Sequence, residues 1–162
     1  MPGGPWRHRE ARRVANGTAK ISNELYRAPL NRIRLCLREL SQHSFDQKAG
    51  YLDPVDWRPR EYNKAADHVA NCGLAERRIV DTIDQRSMFQ HLTDAIGLQV
   101  FCDGGFAGSA GAAAMVLYAI FPNRRSLLGA TVIYVEQARC SFHMEVTALD
   151  IATAFLKQKF DP

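Results

Sequence analysis

Leu98-Gln99-Val100-Phe101-Cys102-Asp103-Gly104-Gly105 sets the architecture of the C-terminal half of the chain. A short apolar run, Leu98 to Cys102, stops at an acidic residue followed at once by two glycines. Such a run, closed by turn-forming residues, reads as a β-strand. Moving toward the C-terminus, Gly108 and Gly111 mark a turn, and Ala112 to Phe121 is a second apolar run. Pro122-Asn123 is a turn signal, and Leu127 to Val135, rich in β-branched residues and Tyr, is a third strand. From Phe142 to Phe160 the spacing is helical, with Met144, Ala148, Ile151 and Phe155 on one face and Leu149, Ala152 and Leu156 on the next. So wide an apolar stripe predicts a helix buried between layers. Consecutive strands joined by short turns pair antiparallel, so this half reads as a three-strand meander with a helix packed on it, an α/β arrangement.

Toward the N-terminus the pattern is helical again. Asn63 to Ala75 predicts a helix with Ala66, Val69 and Ala70 on its apolar side and Gly73 weakening its end. Residues 46–56 read as a loop, and a short strand is expected through Val55 and Trp57, ended by Pro59. From Ile21 to Leu40 the residues Leu30, Ile33, Leu37 and Leu40 recur at helical spacing, with Pro29 where a helix can begin. Residues 1–20, with Pro2, Gly3, Gly4, Pro5 and many arginines, show no periodicity and read as a flexible basic arm. Residues 76–94 are polar with scattered apolar positions and predict a linking helix between two blocks. The expected organisation is therefore an arm over 1–20, a block over 21–75, a linker over 76–95 and a second block over 96–162.

The chain has 162 residues, a net charge of +4, 46% hydrophobic and 23% charged residues, within the ordinary range for one soluble domain. Residues 1–40 hold nine Lys and Arg against three Asp and Glu, whereas the remainder is slightly acidic. A basic arm beside an acidic body suits a partner that carries phosphates; a solvated tail is the alternative. No apolar run reaches the ~18 residues needed to span a bilayer, so no membrane partner is expected. Cys36, Cys72, Cys102 and Cys140 show no CxxC spacing. They read as reduced core thiols of an intracellular protein rather than a zinc site or a disulfide framework.

Three acidic residues stand out. Asp103 ends an apolar run, where a carboxylate is costly unless paired or bound to a cation, and its two glycines would admit a close approach. The alternative is a plain Asp-Gly-Gly turn. Glu145 is an acidic residue on a helix with little polar surface, and Asp67 lies in a short alanine-containing helix; each alone is also readable as a solvated position. Converging carboxylates would bind Mg²⁺, or Mn²⁺ in its place, because hard cations take oxygen ligands. Two such ions would stabilise the attacking and leaving oxygens of an in-line phosphodiester cleavage. His68 and His143 neighbour the acidic positions and read as proton shuttles or bystanders.

The same residues resemble a known family. Leu98 to Gly105, followed by Gly111-Ala112-Ala113-Ala114-Met115-Val116-Leu117, resembles the first hairpin of the ribonuclease H family, with its Asp-Gly strand and Gly/Ala-rich second strand. His143-Met144-Glu145-Val146-Thr147-Ala148-Leu149 resembles the start of that family's first helix, where a Glu is the second metal ligand. Arg58-Pro59-Arg60-Glu61-Tyr62-Asn63-Lys64-Ala65-Ala66-Asp67 resembles the PRExNxxAD segment of plant and retroelement members, whose Asp is the last active-site carboxylate. The resemblance implies a ribonuclease H-like fold and a metal-dependent enzyme that cuts the RNA strand of an RNA–DNA hybrid. Asp103, Glu145 and Asp67 would be its catalytic and metal-binding residues.

Two departures shape that expectation. The segments occur in reverse order, which implies a circularly permuted domain or the tail of one tandem copy joined to the head of the next. The family's fourth strand, ending in another ligand Asp, has no counterpart before Asp161-Pro162, so one strand and one ligand are expected to be missing. An inactive, retroelement-derived remnant or nucleic-acid-binding module is the alternative function. Asp150, five residues past Glu145, is not placed in the site.

Overall fold

The computed structural model describes residues 23–43, 61, 63–83 and 92–160. The basic arm, the loop over 46–56 and the expected strand through Val55 and Trp57 lie outside these residues. In chain order the elements are α1 (Glu24–His43), α2 (Lys64–Glu76), β1 (Val80–Asp81), β2 (Gly97–Ala107), β3 (Ala110–Phe121), β4 (Arg124–Val135) and α3 (Ser141–Phe160). The described chain is thus α/β: three helices and one four-stranded sheet, in order β1-β4-β3-β2, antiparallel throughout. It divides into two compact units, residues 1–59 with 150–162, and residues 60–149.

The sheet unit contains the expected meander. Gly108, at φ +64, and Ser109 form the tight turn between β2 and β3. A left-handed residue there suits Gly because no Cβ clashes. Pro122 and Asn123 turn β3 into β4. β4 begins three residues before the expected Leu127, at Arg124, and two other boundaries differ more in kind. β2 does not stop at Asp103 but runs through both glycines to Ala107, paired residue by residue with Ala110 to Ile120. The 76–94 stretch is not one helix: α2 ends at Glu76, capped by Arg77 in the left-handed conformation, and Val80-Asp81 pairs with Val132 and Thr131 of β4. Thr82 secures that pairing, since its hydroxyl both donates to the Ala130 carbonyl and accepts from the Ala130 N–H.

Helices cover both faces of the sheet near its β2–β3 turn. Adjacent strand residues point to opposite faces. A Cβ on Gly105 would meet the Ala70 carbonyl oxygen of α2 at 3.7 Å, whereas a Cβ on Gly104 would lie 2.5 Å from the Glu145 nitrogen of α3. On the α2 side, Ala70, Ala112, Ala114 and Val132 form a buried cluster joined by Val69, Leu74 and Val80. Gly73 is a packing glycine rather than a helix terminator: a Cβ there would collide with Val132 Cγ2. On the α3 side, fully buried Met144 fills the hollow over Gly111 and Ala138.

In the other unit, α1 begins earlier than Pro29 suggests. Asn23 Oδ1 accepts from the Leu25 N–H at 3.1 Å, which supplies the N-cap. Pro29 then sits inside the helix, giving up one backbone hydrogen bond. Leu30, Ile33, Cys36 and Leu37 form its buried stripe. Arg32 grips Asp150 with two hydrogen bonds, 2.6 and 3.3 Å, and Lys157 pairs with Glu39 at 2.7 Å. Asp150 is therefore a structural partner of Arg32, and its carboxylate raises the Arg32 pKa.

Candidate functional site around Cys102–Gly105

Asp103 sits in β2 opposite Ala114. It shares a sheet face with Gly105, two residues away, and that face is the one α2 covers. The helix is pinned to the same stretch at its start, because Asn63 Nδ2 donates to the Cys102 carbonyl at 3.2 Å. Asp67 is in the first turn of α2, and its N–H donates to the Asn63 carbonyl at 3.1 Å. Asp67 lies in α2 between Asn63, bonded to Cys102, and Ala70, which faces Gly105.

Glu145 arrives from the opposite face. The alanine- and glycine-rich register of β2 and β3 leaves a hollow, and the first turns of α3 drop into it until the Met144–Glu145 backbone rests on Gly104. The start of α3 is fixed locally: Arg139 N–H donates to His143 Nδ1 at 3.3 Å, and Thr147 Oγ1 donates to the His143 carbonyl at 2.8 Å. His143 thus helps build the helix end that delivers Glu145. His68 contacts Cys72 Sγ through Nε2 at 3.5 Å, one turn along α2.

Two sequence-distant carboxylates act on one buried thiol. Burial pushes the Cys102 thiol up to about 12, and the Asp103 and Glu145 carboxylates add to the shift in the same direction. The residue as a whole is half-buried, since β2 is an edge strand of the described sheet; the desolvated part is the thiol. None of the four cysteines forms a disulfide.

The structure therefore seats the Met144–Glu145 backbone on Gly104, next to Asp103, and ties the start of the helix that carries Asp67 to the Cys102 carbonyl. It does not complete a metal centre: among the described residues no three His, Cys, Asp or Glu side chains are grouped so that they could hold an ion. The donor chemistry, three carboxylates, suits a hard cation. The Asp103 carboxylate is turned back on its own strand, its Oδ1 accepting from the Gly104 N–H at 2.8 Å. Asn63 was not singled out by sequence reasoning. Its signal was its place in the segment ending at Asp67, and its Oδ1 is buried with no hydrogen-bond donor against it. No helix among the described residues is long and apolar enough to cross a membrane.

Comparison with known proteins identifies no relative: no protein-family model, curated protein or solved structure matches the chain.

Proposed function

We propose that this chain is a ribonuclease H-type endonuclease domain, permuted in order, that hydrolyses the RNA strand of an RNA–DNA hybrid. One observation carries the reading. Two helices from opposite ends of the sheet unit reach β2 from opposite faces and meet it at the same four residues, Cys102 to Gly105. That geometry supports Asp103, Glu145 and Asp67 acting together although they are scattered in sequence and reversed in order relative to the family they resemble. The three carboxylates would hold Mg²⁺ or Mn²⁺, which when bound supplies Lewis acidity and an activated water. The protein's part is to fix Glu145 through the Gly104 contact and to fix Asp67 through the Asn63–Cys102 hydrogen bond.

A second reading is favoured by a specific observation: the metal-holding cluster is not assembled and β2 has no further strand beside it among the described residues. In that reading the chain is an inactive remnant that binds nucleic acid. An RNA–DNA hybrid with labelled RNA, incubated with Mg²⁺, separates the two. The nuclease reading predicts RNA cleavage that falls at least about 100-fold in Asp103→Asn, as loss of a key charge-stabilising group does. Equal activity of the wild type and Asp103→Asn, or no cleavage by either, rejects it.

A further inference from the structure

The face of the sheet that α2 covers near Gly105 continues past Asp103 toward the start of β2. There it carries Gln99, Phe101, Tyr118, Arg125 and Leu127, placed on one side by the strand register. Phe101 and Tyr118 meet edge to face, with ring centroids 5.8 Å apart. The Arg125 guanidinium lies over both rings, 4.4 Å from the Tyr118 centroid and 5.5 Å from that of Phe101. Its Nη1 donates to Gln99 Oε1 at 3.3 Å. Leu127 beside them is 62% exposed and Arg125 is exposed as well, while Gln99, Phe101 and Tyr118 are half-buried.

These contacts set the direction of one exposed guanidinium. The guanidinium occupies one face of each ring, and one of its five N–H groups is committed to Gln99. The others are presented in a fixed plane, the arrangement that matches phosphate oxygens. The named patch residues carry a positive charge and no carboxylate. Aromatic rings beside a fixed cation on an open sheet face are the recurring elements of surfaces that hold single-stranded nucleic acid, where bases stack and cations meet the backbone.

We propose that this patch binds a single-stranded nucleic-acid segment, with Arg125 on a phosphate and Phe101, Tyr118 and Leu127 against the bases, and leads it toward Asp103. Phe101 lies two strand residues from Asp103, about 7 Å, on the same face. The part of the inference that concerns Asp103 rests on the nuclease reading; the binding surface does not.

The test is fluorescence anisotropy with full-length protein carrying Asp103→Asn, so that nothing is cut, and labelled single-stranded DNA and RNA of about 12 nucleotides, the scale of one such platform. Arg125→Ala is expected to weaken binding roughly 10-fold. It should also reduce the slope of log K against log salt by about 1, one phosphate contact. Leu127→Glu, at a position exposed enough to leave the fold intact, is expected to weaken binding at least about 5-fold by placing a carboxylate in the patch. Arg124→Ala tests the face: its side chain stacks on Phe121 at 4.2 Å on the other side of the sheet, and it should change Kd less than about 2-fold. Unchanged binding in both Arg125→Ala and Leu127→Glu overturns the proposal, as does an Arg124→Ala loss equal to that of Arg125→Ala. If the wild type cleaves hybrid yet the patch variants bind normally, the patch falls and the nuclease reading stands. If patch-dependent binding occurs without cleavage, the reverse holds.

Discussion

The two faces of β2 are built differently at neighbouring residues. At Gly104 the contact is backbone to backbone: a Cβ would fall 2.5 Å from the Glu145 nitrogen, and Met144 is wedged over Gly111 alongside. At Gly105 the nearest atoms of α2 stand off at 3.7 Å, ordinary van der Waals distance. Helix α2 gains its close approach elsewhere, where Gly73 meets Val132 of β4. Glu145 is therefore located directly by the strand that carries Asp103. Asp67 is located at a distance, by the Asn63–Cys102 hydrogen bond at one end of its helix and the Gly73–Val132 contact toward the other. One carboxylate is held by the site's own floor, and the other by a lever with two anchors.

Adding a methyl at the two glycines breaks or sharpens that contrast. Gly104→Ala has only backbone and Met144 Cβ to push against, so it should cost about 3 kcal/mol, the upper end for overpacking. Urea denaturation measures it, and a loss under about 1 kcal/mol would mean that α3 is not seated on the strand as described.

The next effect in size is a pH dependence on the α3 side. Cys102 shares its sheet face with Gly104, and its thiol pKa is raised from 9.0 to about 12 by burial and then by Asp103 and Glu145. Below about pH 9 the thiol is neutral in both folded and unfolded chains, and its full contribution to stability is present. Between these values the unfolded chain releases this proton while the folded chain keeps it, so stability falls as pH rises. Cys102→Ala should flatten that part of the stability profile; an unchanged slope would show that the thiol is not buried in the folded chain as described.

The smallest effect is expected one residue on. Gly105→Ala meets only ordinary contacts and has no left-handed backbone to strain, so it should be neutral or stabilising by about 0.5 kcal/mol through the unfolded chain. Destabilisation as large as that of Gly104→Ala would erase the difference between the faces.

Much of this fold was legible because it rests on local signals. The apolar runs, Gly108 and Pro122-Asn123 specify a meander without reference to anything distant, and the wide stripe from Met144 to Phe155 announces a buried helix. The failures share a cause. Asp103-Gly104-Gly105 reads as a strand end because glycine is common in turns, yet both glycines are mid-strand and Gly104 makes room for α3, a tertiary fact. Gly73 misled in the same way. Val80-Asp81 is too short to show a period and is a strand because β4 and Thr82 hold it. Pro29 suggested a start that the Asn23 cap had already supplied six residues earlier. For the site, residue types and the family resemblance pointed to Asp67, Asp103 and Glu145. Their attachment to one stretch of β2 could not be read from spacing, because it depends on how two helices cross a strand. Asn63 was illegible as a contact, since its role lies in a hydrogen bond to a main-chain carbonyl.

If Asp67, Asp103 and Glu145 act together, they serve one divalent ion. Mn²⁺ binding followed by electron paramagnetic resonance, with wild type, Asp103→Asn, Glu145→Gln and Asp67→Asn, tests it most directly. The account predicts saturable binding that either Asp103→Asn or Glu145→Gln weakens by at least about 10-fold, as removal of a charged ligand does, with a smaller loss in Asp67→Asn because that residue is held less directly. Binding that is indifferent to Asp103 and Glu145, or no binding at millimolar Mn²⁺, would contradict it.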